Sequence, residues 1–369
     1  MSLLPLAKPF LGDREIAAQA RVLQSGRLVL GPENLAFEDA LANLVGRPQA
    51  IAVASGTAAL HLVLWALDLP PGSEVIVPAF TFPAPANAAE ALGLKAVAAD
   101  VDPATWNISP ARVAALVNKK TSAIIAVDQF GIPADHAGLE SLAVQAGVAL
   151  VEDAACAIGA AGQLGRLAGS FGVAACFSFH PRKVVTTGEG GAIMVSDVQL
   201  ARRIRALRNH GQQQPGEFSE VGLNYRMPEV AAAIGRVQLS RLPVFLEERR
   251  RLVSAYRACL SGTRLGGGVV RVQEPPPEVS PTWQTFALLL PPSVDRSRVV
   301  TTLRERGVEA GPATYALHRL GTFAGRPGFT ASVLPVANEL HDSALALPLW
   351  NGMTEADVTR VVEALEGSF

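Results

Sequence analysis

Cysteine is scarce in this 369-residue chain, and its three copies, Cys156, Cys176 and Cys259, lie far apart. An odd number at that spacing, with no C-x-x-C, forms neither a disulfide framework nor a thiolate zinc site, and it suits a reducing compartment; the expected location is the cytoplasm. Charge of one sign is also lacking. With 32 basic and 33 acidic residues the formal net charge is −1, which offers no electrostatic attraction to nucleic acid or to an anionic membrane. No uninterrupted apolar stretch is long enough to span a bilayer. The segment Met1–Phe10 has no basic stretch leading into an apolar run, so no signal peptide is expected. No set of His, Cys, Asp and Glu has metal-ligand spacing, so no metal is expected, and no Ser-His-Asp order can be defended. Repeats, low-complexity tracts and charge blocks are absent.

What the chain does have is many apolar residues and few aromatics. Hydrophobic residues make up 49% and aromatics 6%, so Ala and Val carry much of the core, as suits close-packed helices on a buried sheet. From about residue 50 to 195, short runs rich in Val and Ile alternate with Ala-rich stretches. The runs Ala50–Ala54, Glu74–Pro78, Lys95–Ala99, Ser122–Asp128, Val148–Glu152, Ala174–Phe179 and Gly191–Val195 read as strands. Thr57–Asp68, Pro83–Leu92, Pro110–Val117 and His136–Ala146 read as helices between them. Such alternation predicts an α/β fold with a mostly parallel sheet covered by helices on both faces, and ligands bound beyond the carboxyl ends of its strands. After Val195 the pattern is helical to about Ala258, and the Gly- and Pro-rich stretch Ser261–Pro281 breaks it. A strand over Trp283–Leu290, a helix near Arg296–Arg306 and a last helix capped by Thr354 complete a smaller α+β unit. The expected division is 1–245, a large unit with an N-terminal arm, and 246–369, a small C-terminal unit.

Four segments can carry chemistry. The stretch from Phe177 to Gly191 follows one strand, precedes another and contains Ser178, His180, Lys183, Glu189 and three glycines. A lysine held there and partly desolvated can attack a carbonyl; an ordinary solvated lysine in a turn is the alternative. Next, an apolar run ends in Glu152 and Asp153, which alternation points to opposite sides. Asp153 reads equally as the partner of a protonated ring nitrogen and as a helix-initial acid stabilised by the dipole. The third segment, Ser55-Gly56-Thr57, ends a strand and opens a helix, as in a phosphate site or a plain cap. The fourth, Phe80-Thr-Phe82-Pro83, offers an aromatic face for a flat ring or one more core Phe.

Taken together and in order, these segments resemble the DegT/DnrJ-type nucleotide-sugar aminotransferases. The resemblance adds Ser25-Gly-Arg27, Gly31-Pro32, Gly222-Leu-Asn224-Tyr-Arg-Met227 and Ala344-Leu-Ala-Leu-Pro-Leu349, and so covers nearly the whole chain. It implies a pyridoxal-phosphate-dependent transferase of fold type I. By this resemblance Lys183 is the Schiff-base lysine and proton carrier, and Asp153 the partner of the pyridine nitrogen. Gly56, Thr57 and Ser178 contact the phosphate, Phe82 stacks on the ring, and Asn224 reaches the phosphate held by the other subunit of a homodimer. Cys156 stands where the family often has Gln or His against the cofactor's phenolic oxygen, and a thiol is a far weaker partner. His180, Tyr315 and His318 are the candidate substrate-side residues. The implied reaction takes nitrogen from an amino acid, L-glutamate by expectation, to a keto group on a nucleotide-linked deoxysugar. The rivals are another pyridoxal-phosphate reaction, such as dehydration or elimination, and a non-catalytic regulatory protein of the same fold.

Overall fold

The computed structural model describes residues 3–265 and 267–368. Met1, Ser2, Gly266 and Phe369 fall outside it, and with them the very start of the N-terminal reading and one glycine of the Ser261–Pro281 stretch.

Seven strands form the central sheet: β1 (Gln49–Val53), β2 (Glu74–Pro78), β3 (Lys95–Ala99), β4 (Thr121–Val127), β5 (Ala149–Asp153), β6 (Ala174–Ser178) and β7 (Gly191–Val195). Their order is β1-β7-β6-β5-β4-β2-β3. All neighbours are parallel except that β7 runs antiparallel to both β1 and β6. Each strand matches its expected run to within a residue, because a strand buried on both faces is apolar through its middle and turns polar only near its ends. Alternate side chains feed different cores. Ile51 and Val53 join one cluster with Ile76 and Phe80, whereas Ala50 and Ala52 join another with Phe37, Phe177 and Phe179, as period-two alternation requires.

The helices α1 (Asp13–Ser25), α2 (Pro32–Val45), α3 (Gly56–Ala66), α4 (Ala84–Glu90), α5 (Pro110–Ala114), α6 (His136–Ala146), α7 (Val198–Leu207) and α8 (Glu229–Ser240) accompany this sheet. The expected helical run beyond Val195 is interrupted. His210 and Gly211 both take positive φ, at 60° and 77°, and the polar run Gln212–Gln214 pairs with Glu217–Phe218 as a hairpin. Pro215-Gly216 supplies that turn, with Gly216 at φ 84°.

Beyond it, α9 (Leu242–Leu260) leads to a second sheet made of β8 (Arg271–Val272), β9 (Phe286–Leu289), β10 (Gly311–Pro312) and β11 (Ala344–Leu347), in the order β8-β9-β11-β10. The strand expected from Trp283 begins only at Phe286, because Trp283 sits at φ 51°. Together with α10 (Arg296–Glu305) and α12 (Glu355–Glu366) this sheet encloses a core of its own around Tyr256, Leu288 and Val361. Between them α11 (Pro335–Ser343) packs back toward the large sheet, with Ala337 and Leu340 in its cluster. The cap of α12 is the expected one: Thr354 and Asp357 bond reciprocally in a capping box. We propose the division of the chain within α9, whose Phe245 joins the sheet cluster and whose Leu252 and Tyr256 join the second core.

Candidate active site

Register places the candidate residues along one edge of the sheet. Val127 lies beside Asp153, Asp153 beside Cys176, Ser178 beside Gly191, and Gly191 beside Val53. The carboxyl ends of β1, β5 and β6 therefore line up with the start of β7, and α3 begins among them. That approach is close. A Cβ on Gly191 would lie 2.5 Å from the Ser55 carbonyl, and one on Gly56 would lie 2.8 Å from Ser178 Cβ. Only glycine lets α3 start this near β6 and β7.

Ser55 is the N-cap of α3, its Oγ accepting the Ala58 N–H at 3.1 Å. The N–H groups of Gly56 and Thr57 precede any intrahelical acceptor, so they face outward as free donors. The Thr57 hydroxyl is exposed and Ser178 is half-buried against Gly56. Two backbone donors, two hydroxyls and a helix N-terminus make a cradle for an anion such as phosphate.

The Lys183 loop is tied at its base. Phe179 N–H donates to Gly190 O at 2.8 Å, Thr187 N–H to Phe179 O at 3.0 Å, and Lys183 N–H to His180 O at 2.8 Å. Gly188 takes φ 86°, a left-handed turn that suits glycine. Lys183 Nζ points to Cys156, 3.1 Å from Sγ. Asp153 is 5% exposed. Burial pushes its carboxyl up to about 6, Asp128 adds to that rise, and the Ala155 N–H at 3.1 Å and Lys183 hold it back. No helix starts at Asp153; the chain runs on from it through turns. The helix-initial reading of this acid therefore loses its basis.

Phe82 is 60% exposed, which removes it from the core, and its ring centroid lies 6.4 Å from that of Tyr315. A two-residue ladder, Phe80–Thr81 with Tyr315–Ala316, brings these aromatics together from opposite ends of the chain. His180 stays beside the lysine loop. Its Nδ1 accepts the Arg182 N–H at 3.2 Å, and burial, helped by Lys183 and Arg182, lowers its basicity. His318 is buried, and its Nε2 pairs with Asn338 Oδ1 at 2.7 Å in α11. Asn224 is exposed, and among the described residues its side chain makes no hydrogen bond within its own chain.

A group that the spacing argument missed lies next to this edge. Asp128, His136 and Glu152 place one potential ligand atom each within 4.8 Å of one another. Residues 8 and 16 apart, just after β4, on α6 and on β5, meet only because parallel strands stack side by side. The available signal was Asp128 itself, an acid at the end of an apolar strand, the same pattern as Asp153. Glu152 already accepts from the Gly169 and Phe171 N–H groups at 2.8 and 2.9 Å, so the cluster is a hydrogen-bonded ion network.

An amine, a buried carboxylate, an anion cradle and an exposed aromatic face thus share one strand edge. They can hold a flat, phosphorylated, carbonyl-bearing ligand with a basic ring nitrogen. The model of the DegT/DnrJ/EryC1/StrS aminotransferase family matches residues 9–366. A GDP-perosamine synthase of Caulobacter vibrioides is 38% identical over 338 residues, 89% of this chain and 88% of that one. Among solved structures, S. venezuelae DesV in complex with a ketimine intermediate is 33% identical, with a TM-score of 0.89 over 96% of this chain and 93% of that one. DesI in the presence of its TDP-sugar product is 34% identical, with a TM-score of 0.90 over 99% and 92%.

Proposed function

Because the chain belongs to the DegT/DnrJ/EryC1/StrS aminotransferase family, we propose that it transfers an amino group from an amino acid to a keto group of a nucleotide-linked deoxysugar, using pyridoxal phosphate. The observation that carries this reading is the alignment of Lys183, Asp153 and the Gly56–Ser178 cradle along one strand edge. The donor set fits the cofactor: the cradle suits its phosphate, the Lys183 amine its aldehyde, and Asp153 its ring nitrogen. When bound, pyridoxal phosphate supplies the aldehyde that condenses with amines and the ring that takes up electrons.

The protein's part is to bind, orient and move protons. Asp153 is buried beside little else that is cationic, so a protonated ring nitrogen is the partner that favours its ionised form. The Lys183 amine holds the cofactor between turnovers and carries the proton at the substrate carbon once released. Gly56, Thr57 and Ser178 fix the phosphate, and Phe82 offers its exposed face to the ring. Cys156, 3.1 Å from the lysine amine, is the residue that would stand toward the phenolic oxygen with the cofactor bound. Tyr315, beside Phe82, and His180, beside the lysine loop, are the proposed substrate-side residues. His318 is committed to Asn338 and belongs at most to the rim.

Asn224 and the exposed apolar residues Ile16, Leu23, Val29 and Leu35 support a homodimer in which each subunit completes the other's phosphate site. L-glutamate is the proposed amino donor. No described helix is long and apolar enough to cross a membrane, and the three unpaired cysteines support a cytoplasmic location.

The test is the visible spectrum of the protein with pyridoxal phosphate, before and after L-glutamate, beside Lys183→Ala. The expected outcome is a visible band that depends on Lys183 and that glutamate converts to the pyridoxamine form. A band that glutamate leaves unchanged moves another donor, or dehydration or elimination, ahead. Absence of any lysine-dependent band refutes the enzymatic reading and leaves a non-catalytic protein of this fold.

A further inference from the structure

Beside Asp153 lie three ionisable side chains that the proposed chemistry leaves unused. Asp128, His136 and Glu152 are 0%, 1% and 0% exposed. Asp128 follows the last residue of β4, and its N–H donates to the Asp153 carbonyl at 3.0 Å. Its Oδ1 accepts the Ala134 N–H at 2.9 Å and meets His136 Nε2 at 2.6 Å, while its Oδ2 is buried without a partner. The His136 ring is clamped against Phe171, with centroids 4.3 Å apart and planes 15° from parallel. Glu152 sits 3.8 Å from His136 Nε2, but both its oxygens are taken by backbone N–H groups.

The charges must be counted together. Three carboxylates, Asp128, Glu152 and Asp153, are buried side by side. Burial and the neighbouring Asp128 raise Glu152, while His136 and the two backbone N–H groups pull against that rise. Burial alone would lower His136, yet Asp128 and Glu152, with Glu140 behind them, push it up to about 9. Arg47 faces Glu152 and donates to backbone carbonyls of Met194 and Gly172. His136 is therefore the cation in contact with Asp128. Without it, ionised Asp128 would stand next to Asp153 as an uncompensated like charge, which disfavours the ionised form of Asp153.

We propose that His136 is a positioning residue for the reaction: as an imidazolium bonded to Asp128 it cancels that carboxylate's charge, so that Asp153 stays ionised to hold the protonated nitrogen of a pyridine ring. This rests on the reading of Asp153 given above. His136 does not touch the cofactor in this scheme. It acts through Asp128 and the strand contact between Asp128 and Asp153.

The experiment compares the affinity of the cofactor-stripped, full-length protein for pyridoxal phosphate and for its 1-deaza analogue, in which C–H replaces the ring nitrogen. The analogue has no ring nitrogen to protonate, so the preference for pyridoxal phosphate over it reads the ion pair with Asp153. Wild type should show a clear preference and Asp153→Asn should lose it. His136→Leu should lose about tenfold of the preference, the worth of roughly one pH unit of altered ionisation. Asp128→Asn in the same chain should restore it, since the charge to be cancelled is gone. Should His136→Leu not fold, His136→Gln keeps a donor toward Asp128 without the charge and carries the same expectation. A His136 variant that weakens both ligands equally, or that leaves the preference intact, overturns the proposal, as does a loss that persists in the double variant. If Asp153→Asn itself keeps the preference, the reading of Asp153 fails, and that failure is distinct from a failure at His136 alone.

Discussion

Replacing Asp153 by Asn should make the cofactor-free protein more stable while removing its grip on the cofactor. The buried carboxyl titrates near 6 in the folded chain, against an ordinary 3.8. Below 3.8 both states are protonated and the group contributes nothing. Above about 6 both are ionised, and the folded state carries the whole cost of the buried charge, about 3 kcal/mol from that gap. The cost is therefore full at pH 8 and about half as large at pH 5. Asn at this position does not carry it, although its amide loses some hydrogen bonding. The assay is urea unfolding of both stripped proteins at the two pH values, followed by the same measurement with saturating pyridoxal phosphate. The expected result is an Asn variant with the higher unfolding midpoint, a margin that grows from pH 5 to pH 8, and a reversed order once cofactor stabilises the wild type. A margin that does not change with pH would mean that packing rather than charge sets it. An Asn variant less stable at pH 8 would refute the account of Asp153 as a strained, poised anion.

Gly56→Ala should clash with Ser178 at the start of α3, cost about 1–3 kcal/mol and speed cofactor loss on dialysis; Ser178→Gly in the same chain should recover much of the stability but not the hydroxyl's contact. Phe82→Ala should leave the melting temperature of the stripped protein almost unchanged, because the ring is largely exposed, yet weaken cofactor affinity by up to about tenfold, the upper worth of a stacked aromatic. Inactive Lys183→Ala and cofactor-weakened Asn224→Ala chains, mixed and re-annealed, should regain activity in about a quarter of sites if each subunit completes the other's phosphate cradle. No recovery on mixing would place Asn224 outside the partner's site.

The strands of the large sheet and the chemistry at their ends were legible because both obey local rules. Short apolar runs set off by polar or turn residues mark the strands, so β2, β3 and β7 could be read to the residue. A helix starting on Ser-Gly-Thr exposes its first N–H groups whatever surrounds it. The last helix declared itself through Thr354 and Asp357. Where local rules were silent, the reading drifted. Residues 208–228 looked helical in composition, but a positive φ at His210 and a tight turn at Gly216 fold the segment back on itself, so that Gly211 passes close against Glu220.

The sequence by itself determined the order and apolar character of the strands, the glycines that permit close approach, and the presence of one lysine and one acid beside them. Tertiary structure alone decided the rest. It started no helix at Asp153, which removed the dipole reading of that acid. It brought Tyr315 to Phe82 across more than 230 residues through a two-residue ladder. It also joined Asp128, His136 and Glu152 into one buried ion network. Composition and periodicity report what each segment wants to bury, but ionisation in a core depends on which segments lie side by side, and that is fixed only when the sheet's order is.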